Sequence, residues 1–249
     1  MQGKMRQDLY QELFEVEDHH WWHQHKRAIV HKLLDRFCKP GKLIDVGAGT
    51  GKILSELQLK KWQVFGIDGE QEASHLSKLR GVKVKLLDLT LNKLPFADNS
   101  FDAALSLDII EHLPDDVGLI SEIYRILKPG AILIITVPAY QWLFSYWDKM
   151  LGHKRRYTVG SLRLVCHRSK LQPLYSSYFF SAQLLPAAVV RLIKSLLGQK
   201  ATNFSDFKST PIRSISEPLI SLYSKLEQFL ITTTALPFGL SVVAVTQKR

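Results

Sequence analysis

The chain has 249 residues, 46% of them hydrophobic, which is long for one ordinary domain and enough to bury a sizeable core. Its net charge of +10 is uneven: residues 149–249 carry 15 Lys and Arg against 3 Asp and Glu, so the first 148 residues net −2. That asymmetry fits either an anionic partner (phosphorylated substrate, lipid headgroup, nucleic acid) or a solubilising basic surface, and composition alone does not choose.

The first residues lack an apolar signal core, and no run of about 18 uncharged apolar residues occurs, so neither secretion nor a membrane span is expected. The expected place is the cytoplasm, with peripheral contact at the inner face of a membrane as an option. Cys38 and Cys166 match no metal or redox spacing and are expected to be reduced packing thiols.

In chain order, residues 7–37 read as helix, broken near His19-His20-Trp21-Trp22 and stopped by Lys39-Pro40-Gly41. Strand and helix patterns then alternate. Strands are expected at 42–46, 63–67, 82–87, 101–105 and 131–137, with helices at 51–59, from Asp108, and at 117–127. This rhythm predicts an α/β fold with a mostly parallel sheet covered on both faces. Two further strands are expected at 174–180 and 240–246. Between them lie two helical stretches: one carries Leu185, Val189, Leu192 and Leu196 on a face, and the other starts near Ser216-Glu217-Pro218 with Ser216 as N-cap. Residues 199–211 read as a polar loop.

The stretch Asp45-Val46-Gly47-Ala48-Gly49-Thr50-Gly51 asks for a ligand. A phosphate-binding loop needs G-x-x-x-x-G-K-[ST]; here Ile53 follows Gly51-Lys52, and Gly47 is one place short of the spacing. A dinucleotide turn needs G-x-G-x-x-G, and position 52 is lysine. Asp45 puts a negative charge where a phosphate tolerates none but an ammonium suits. Asp68, ending the second strand, is placed to accept from a ribose diol, and Asp88, ending the third, from an adenine amino group. An amine, a ribose and an adenine together describe S-adenosylmethionine. Each acid also has a plainer reading as a turn former.

These residues, with Leu94-Pro95-Phe96, Ser100-Phe101-Asp102 and Leu127-Lys128-Pro129-Gly130-Ala131, resemble the class I S-adenosylmethionine-dependent methyltransferases over roughly residues 25–140. The resemblance implies a Rossmann-like, seven-stranded sheet closed by a strand hairpin, here with a helical insertion. The implied division is an N-terminal helical lid at 1–40, a core at 41–180 and 239–249, and an insertion at 181–238. It places Asp45, Gly47, Ala48, Gly49 and Gly51 at the methionine end. Asp68 and Gly69 fall at the ribose, Asp88 and Leu89 at the adenine, and Leu107 lies along the cofactor.

For the reacting end, Asp108, Glu111 and His112 share a helix face if the expected helix forms, and offer either a divalent-cation site or merely a capping box. A similar acid-x-x-Glu-His occurs in ubiquinone-pathway O-methyltransferases and in small-RNA 3′-end methyltransferases, and the RNA enzymes imply a later histidine ligand, here His153. His112 or His153 as a metal-free general base is the alternative, and pure positioning of the reactants is a third. In Gly152-His153-Lys154-Arg155-Arg156-Tyr157-Thr158, Arg155 and Arg156 are expected either to hold an acceptor's phosphate or carboxylate or to be a solvated charge run; Arg156 is taken as a catalytic candidate. Trp21 and Trp22 serve either as lid residues or as anchors of the N-terminal helix.

An early His-Trp-Trp, the Gly-His-x-Arg-Arg-Tyr and a closing Phe238-Gly239-Leu240-Ser241 also loosely resemble bacterial glycan and lipid-pathway O-methyltransferases. This implies O-methylation of a small molecule, sugar or lipid-linked glycan, with 184–197 contacting an anionic membrane or covering a lipid-bearing substrate. Two alternatives stand beside it: metal-dependent 2′-O-methylation of RNA, and a cofactor-binding scaffold without catalysis.

Overall fold

The computed structural model describes residues 7–90, 93–196 and 213–249. Two helices come first, α1 (Gln7–Val16) and α2 (Trp21–Phe37), separated where the sequence predicts a break. Next come β1 (Lys42–Val46), α3 (Lys52–Leu59), β2 (Gln63–Asp68), α4 (Gln71–Leu79), β3 (Val84–Leu86) and β4 (Phe101–Leu107). Then follow α5 (Asp116–Ile126), β5 (Leu127–Pro138), α6 (Tyr146–Met150), α7 (Val159–Arg168) and β6 (Leu171–Phe179). The chain ends with α8 (Leu184–Leu196), α9 (Arg213–Thr233) and β7 (Ser241–Lys248).

The seven strands form one sheet in the order β3-β2-β1-β4-β5-β7-β6. All neighbours are parallel except β7, which runs antiparallel to both β5 and β6. Alternation along the strands feeds two cores. Ile44 and Val46 of β1 join the core under α5 and α7, with Ile120, Ile123 and Leu162. Leu43 faces the other way, into a core with Leu33 of α2, Leu54 of α3 and Ile231 of α9. The strand order reverses between β1 and β4, so a crevice opens outside their carboxyl ends, where ligands of open α/β sheets bind.

Two expectations need correcting, and a third lies outside the described residues. No α-helix begins at Asp108; a single 3-10 turn at Ile110–His112 follows β4 instead. Asp108 itself adopts a positive φ of 55°, which no helix interior allows. The helix expected from Ser216 already begins at Arg213, so Ser216 is not its cap, and Pro218 lies inside it. The polar loop expected at 199–211 lies outside the described residues.

Candidate cofactor and acceptor site

The glycine turn joins β1 to α3, and its backbone dictates its composition. Gly47 has φ 86° and Gly51 φ 74°, values that L side chains rarely adopt. A Cβ on Gly47 would also lie 2.1 Å from Ile109 of the loop after β4, so that loop sits directly against the turn. At Gly49 a Cβ would meet nothing within 4 Å, which marks the side open to a ligand.

Asp45 is buried at the end of β1, and its Oδ1 has no hydrogen-bond partner. Burial, with the neighbouring Asp68 charge, pushes its carboxyl up to about 7. A buried, partnerless acceptor beneath an open glycine turn fits the ammonium of S-adenosylmethionine, which would return the carboxyl to its ionised form.

Asp68 is also buried. Its Oδ2 accepts from the Gly49 N–H (2.8 Å), and its Oδ1 from the Glu70 N–H (2.9 Å) and from Tyr10 Oη of α1 (3.3 Å). Ala48 and Leu89 are buried beside these acids and Leu107 is half-buried, whereas Gly69 has only Leu87 O, at 3.8 Å, near its absent Cβ. Asp88 is exposed, and its Oδ1 accepts from the N–H and Oγ1 of Thr90 (2.9 and 2.7 Å), the geometry of a turn former.

The contacts that the turn between α1 and α2 makes with the glycine turn were not foreseen from the sequence. Glu17 and Asp18, in the turn between α1 and α2, reach back to the glycine turn: Thr50 donates to Glu17, Lys52 pairs with Asp18 (2.9 Å), and Arg80 pairs with Glu17 (3.0 Å). Trp22 stacks on Phe180 with ring centroids 3.5 Å apart, and Trp21 meets the same ring edge-on at 5.9 Å. The tryptophans therefore anchor α2. Beside them His25 and Glu227 of α9 form a buried pair at 2.6 Å.

The acceptor side is assembled by the segment 152–157. It runs across the loop after β4, with the Lys154 N–H donating to Glu111 O (2.7 Å) and Tyr157 Oη to Asp116 (2.8 Å). Arg155 pairs with Asp116 (3.0 Å) and donates to the carbonyls of Leu113 and Pro114. Arg156 donates to Asp148 (2.7 Å) and to Ala139 O (3.1 Å). Both arginines are thus spent on the chain's own acceptors. Neither is a solvated charge run: each is held by carboxylates and carbonyls of the chain itself.

The strap brings His153 to His112, with ring centroids 4.6 Å apart. Ligand atoms of Glu111, His112 and His153 all lie within 4.8 Å of one another. Glu111 is fully buried and neither carboxylate oxygen has a hydrogen-bond partner; burial and the nearby Asp108 push its carboxyl well up. Burial, and then the facing His153, lowers His112 to about 4, so its ring is neutral. His153 Nδ1 meets Asp148 at 3.0 Å. Asp148 pays for its burial by hydrogen bonds from His153, Arg156 and Ser145, which hold its carboxyl far below the usual range.

Asp108 lies near this group but is already engaged. Lys26 of α2 donates to it, and Thr136 Oγ1 donates to its other oxygen (2.9 Å). Against the cost of its desolvation, Lys26 holds its carboxyl below the usual range. Among the described residues, the ligand atoms brought together are those of Glu111, His112 and His153, while Asp108 is held by Lys26 and Thr136. The sequence analysis missed Tyr10, Lys26, Asp148 and Glu227. Of these only Asp148 carried a signal, as the acid three residues after Ser145 in a capping box.

Residues 44–135 match the family model of a methyltransferase domain. Cycloartenol-C-24-methyltransferase 1 of Oryza sativa subsp. japonica is 34% identical over 47% of this chain and 36% of its own length. The ubiquinone/menaquinone biosynthesis C-methyltransferase of Desulfotalea psychrophila is 30% identical over 59% of the chain and 63% of its own length. The chain thus spans less than two thirds of the curated relatives it matches. A solved S-adenosylmethionine-dependent methyltransferase of Thermotoga maritima shares the fold with a TM-score of 0.60, at 18% identity, covering 98% of this chain and 100% of that one. Sheet order, glycine turn and matched residues agree: residues 44–135 match a methyltransferase domain, within a fold shared with a solved S-adenosylmethionine-dependent methyltransferase.

Proposed function

We propose that the chain transfers the methyl group of S-adenosylmethionine to a hydroxyl of an apolar or lipid-linked acceptor, at a site that holds a divalent cation between Glu111, His112 and His153. The observation carrying this reading is Glu111: a fully buried carboxylate with two unpartnered oxygens is costly unless a cation or proton joins it, and two imidazoles lie within ligand range. A cation bound there supplies Lewis acidity toward an acceptor hydroxyl.

The chain's own residues do the rest. Asp148, on Nδ1 of His153, fixes the tautomer and turns Nε2 toward the acceptor side, the usual carboxylate support of a ligating or proton-accepting histidine. Asp45 and Asp68 orient the cofactor. The acceptor oxygen forms its bond to the sulfonium methyl as the carbon–sulfur bond breaks, and the hydroxyl proton leaves to an imidazole or to water.

The relatives named above act on cycloartenol and on quinones; they support an apolar acceptor, while the His153–Asp148 pair favours oxygen over carbon. The engagement of Arg155 and Arg156 within the chain weighs against RNA as acceptor.

The test is calorimetric titration with S-adenosylmethionine and S-adenosylhomocysteine, with ATP and NAD as controls, followed by an acceptor screen with and without chelator. Micromolar binding of the first two alone, and turnover lost on chelation and restored by a divalent cation, are expected. Turnover indifferent to chelator but lost in His153→Ala would replace the cation by a histidine base. Cofactor binding without turnover on any hydroxyl acceptor would overturn O-methylation, and a further screen of carbon acceptors would then separate C-methylation from the scaffold reading.

A further inference from the structure

Helix α9 is built inside out. Its inward face holds a carboxylate: Glu227 is buried against His25, accepts from Tyr223 Oη (2.6 Å) and from the N–H groups of Phe180 (2.9 Å) and Ser181 (2.8 Å), and is held down to about 2 against the cost of its burial. Its outward face holds Leu219, Leu222, Leu226 and Phe229, each between 55% and 68% exposed. Their spacing of three, four and three residues puts them on one stripe. A helix facing only water has the opposite polarity.

The same holds elsewhere on this end of the molecule. On α8, Leu185 is 75% exposed and Val189 is exposed as well. Arg191 of α8 donates to Leu143 O, which ties the helix to the turn after β5. That turn carries Trp142, 65% exposed, stacked on Tyr140 (5.7 Å), which stacks on Tyr178 (5.1 Å). The indole is therefore held outward by a rigid aromatic stack. This turn follows the carboxyl end of β5 and belongs to the rim of the acceptor crevice.

We infer that α8, the outward stripe of α9 and Trp142 form a docking surface for an anionic lipid bilayer. Two observations choose this occupant. Helix α8 carries Arg191 and Lys194 and no acid in its sequence, and exposed Lys225 borders the α9 stripe, a basic complement to an anionic headgroup layer. An outward-held tryptophan is the side chain that settles at the headgroup level.

The test is flotation of the full chain, without cofactor or acceptor, on vesicles of equimolar phosphatidylcholine and phosphatidylglycerol, beside pure phosphatidylcholine. Because no methyl transfer is involved, failure here leaves the catalytic reading untouched, and the reverse. The expected result is flotation with the anionic vesicles, weakened by high salt, and reduced about tenfold or more in the double variant Leu222→Ser, Leu226→Ser. Leu59→Ser, at an exposed leucine of α3, should leave flotation unchanged. All replaced side chains are exposed, so melting curves should stay as in the parent. No flotation, equal flotation on neutral vesicles, or flotation indifferent to the double variant would overturn the inference. So would a dimer in solution that the double variant dissolves, since a second copy would then be the occupant.

Discussion

The two halves of the crevice are built by different means. On the cofactor side, one short turn between β1 and α3 does the work with backbone: positive-φ glycines and two acids at the ends of adjacent parallel strands. On the acceptor side, nothing local makes the site. Glu111 and His112 leave β4, while His153 arrives on a strap more than forty residues later, held by Asp148, Arg155, Arg156 and Tyr157. The first kind of site depends on few residues; the second depends on a network in which Asp148 satisfies His153 and Arg156, and Asp116 satisfies Arg155 and Tyr157, while Glu111 is left unpartnered.

The largest expected effect breaks the second half at its hub. Asp148→Ala leaves Arg156, with 8% of its side chain exposed, and His153 without their partner. Removing one member of a buried charge network costs about 3–5 kcal/mol. The melting temperature should fall sharply, and turnover with it. Affinity for S-adenosylhomocysteine by calorimetry should change little if the two halves are independent. A variant that loses cofactor binding as severely as stability would show them to be one unit.

This difference also explains what was legible in the sequence. Asp45, the glycines and Asp68 could be read because their geometry is set within a few residues and between adjacent strands. The partners of the Arg155-Arg156 pair, read as either an anion site or a solvated charge run, were not legible because a sequence shows charges and not their partners, and the acceptors at Asp116, Asp148 and three carbonyls are scattered over the chain. The helix expected to start at Asp108 does not form. The short apolar run after β4 is instead packed as a 3-10 turn, with Ile110 in the core and Ile109 wedged against Gly47. Likewise the α9 pattern gave a helix but not which face is inward, since the inward face is the one bearing Glu227.

The second prediction sharpens the cofactor half through pH. Asp45 has a folded value of about 7 against an ordinary 3.8. Between about pH 4 and pH 7 the folded chain therefore holds a proton that the unfolded chain has lost, and stability falls as pH rises through that window. Asp45→Asn removes this slope. Without cofactor the variant should gain on the parent by about 2–4 kcal/mol on going from pH 4 to pH 8, read from melts at each pH. Cofactor affinity should drop at the same time. In the parent, binding at pH 7 should release about half a proton, seen as a dependence of the heat on the buffer's ionisation enthalpy. Equal pH slopes in parent and variant would mean that Asp45 is ionised and otherwise compensated.

The smallest effect probes where α1 meets the turn. The Asp68 carboxylate already accepts from the Gly49, Glu70 and Gly69 N–H groups and from Tyr10 Oη. A ribose diol donates two hydrogen bonds, so existing bonds must yield, and at 3.3 Å the contact from Tyr10 is longer than those from Glu70 (2.9 Å) and Gly49 (2.8 Å). Tyr10 thus competes with the ribose. Tyr10→Phe keeps the ring packed on Ala73 and Leu76 and deletes only the hydroxyl. Relieved of the competitor, the site should bind S-adenosylhomocysteine about twofold to fivefold more tightly, or about 0.5–1 kcal/mol, the worth of one ordinary hydrogen bond. Weaker binding would reverse the assignment: Tyr10 would then clamp the bound cofactor, and α1 would close over the ligand instead of standing in for it.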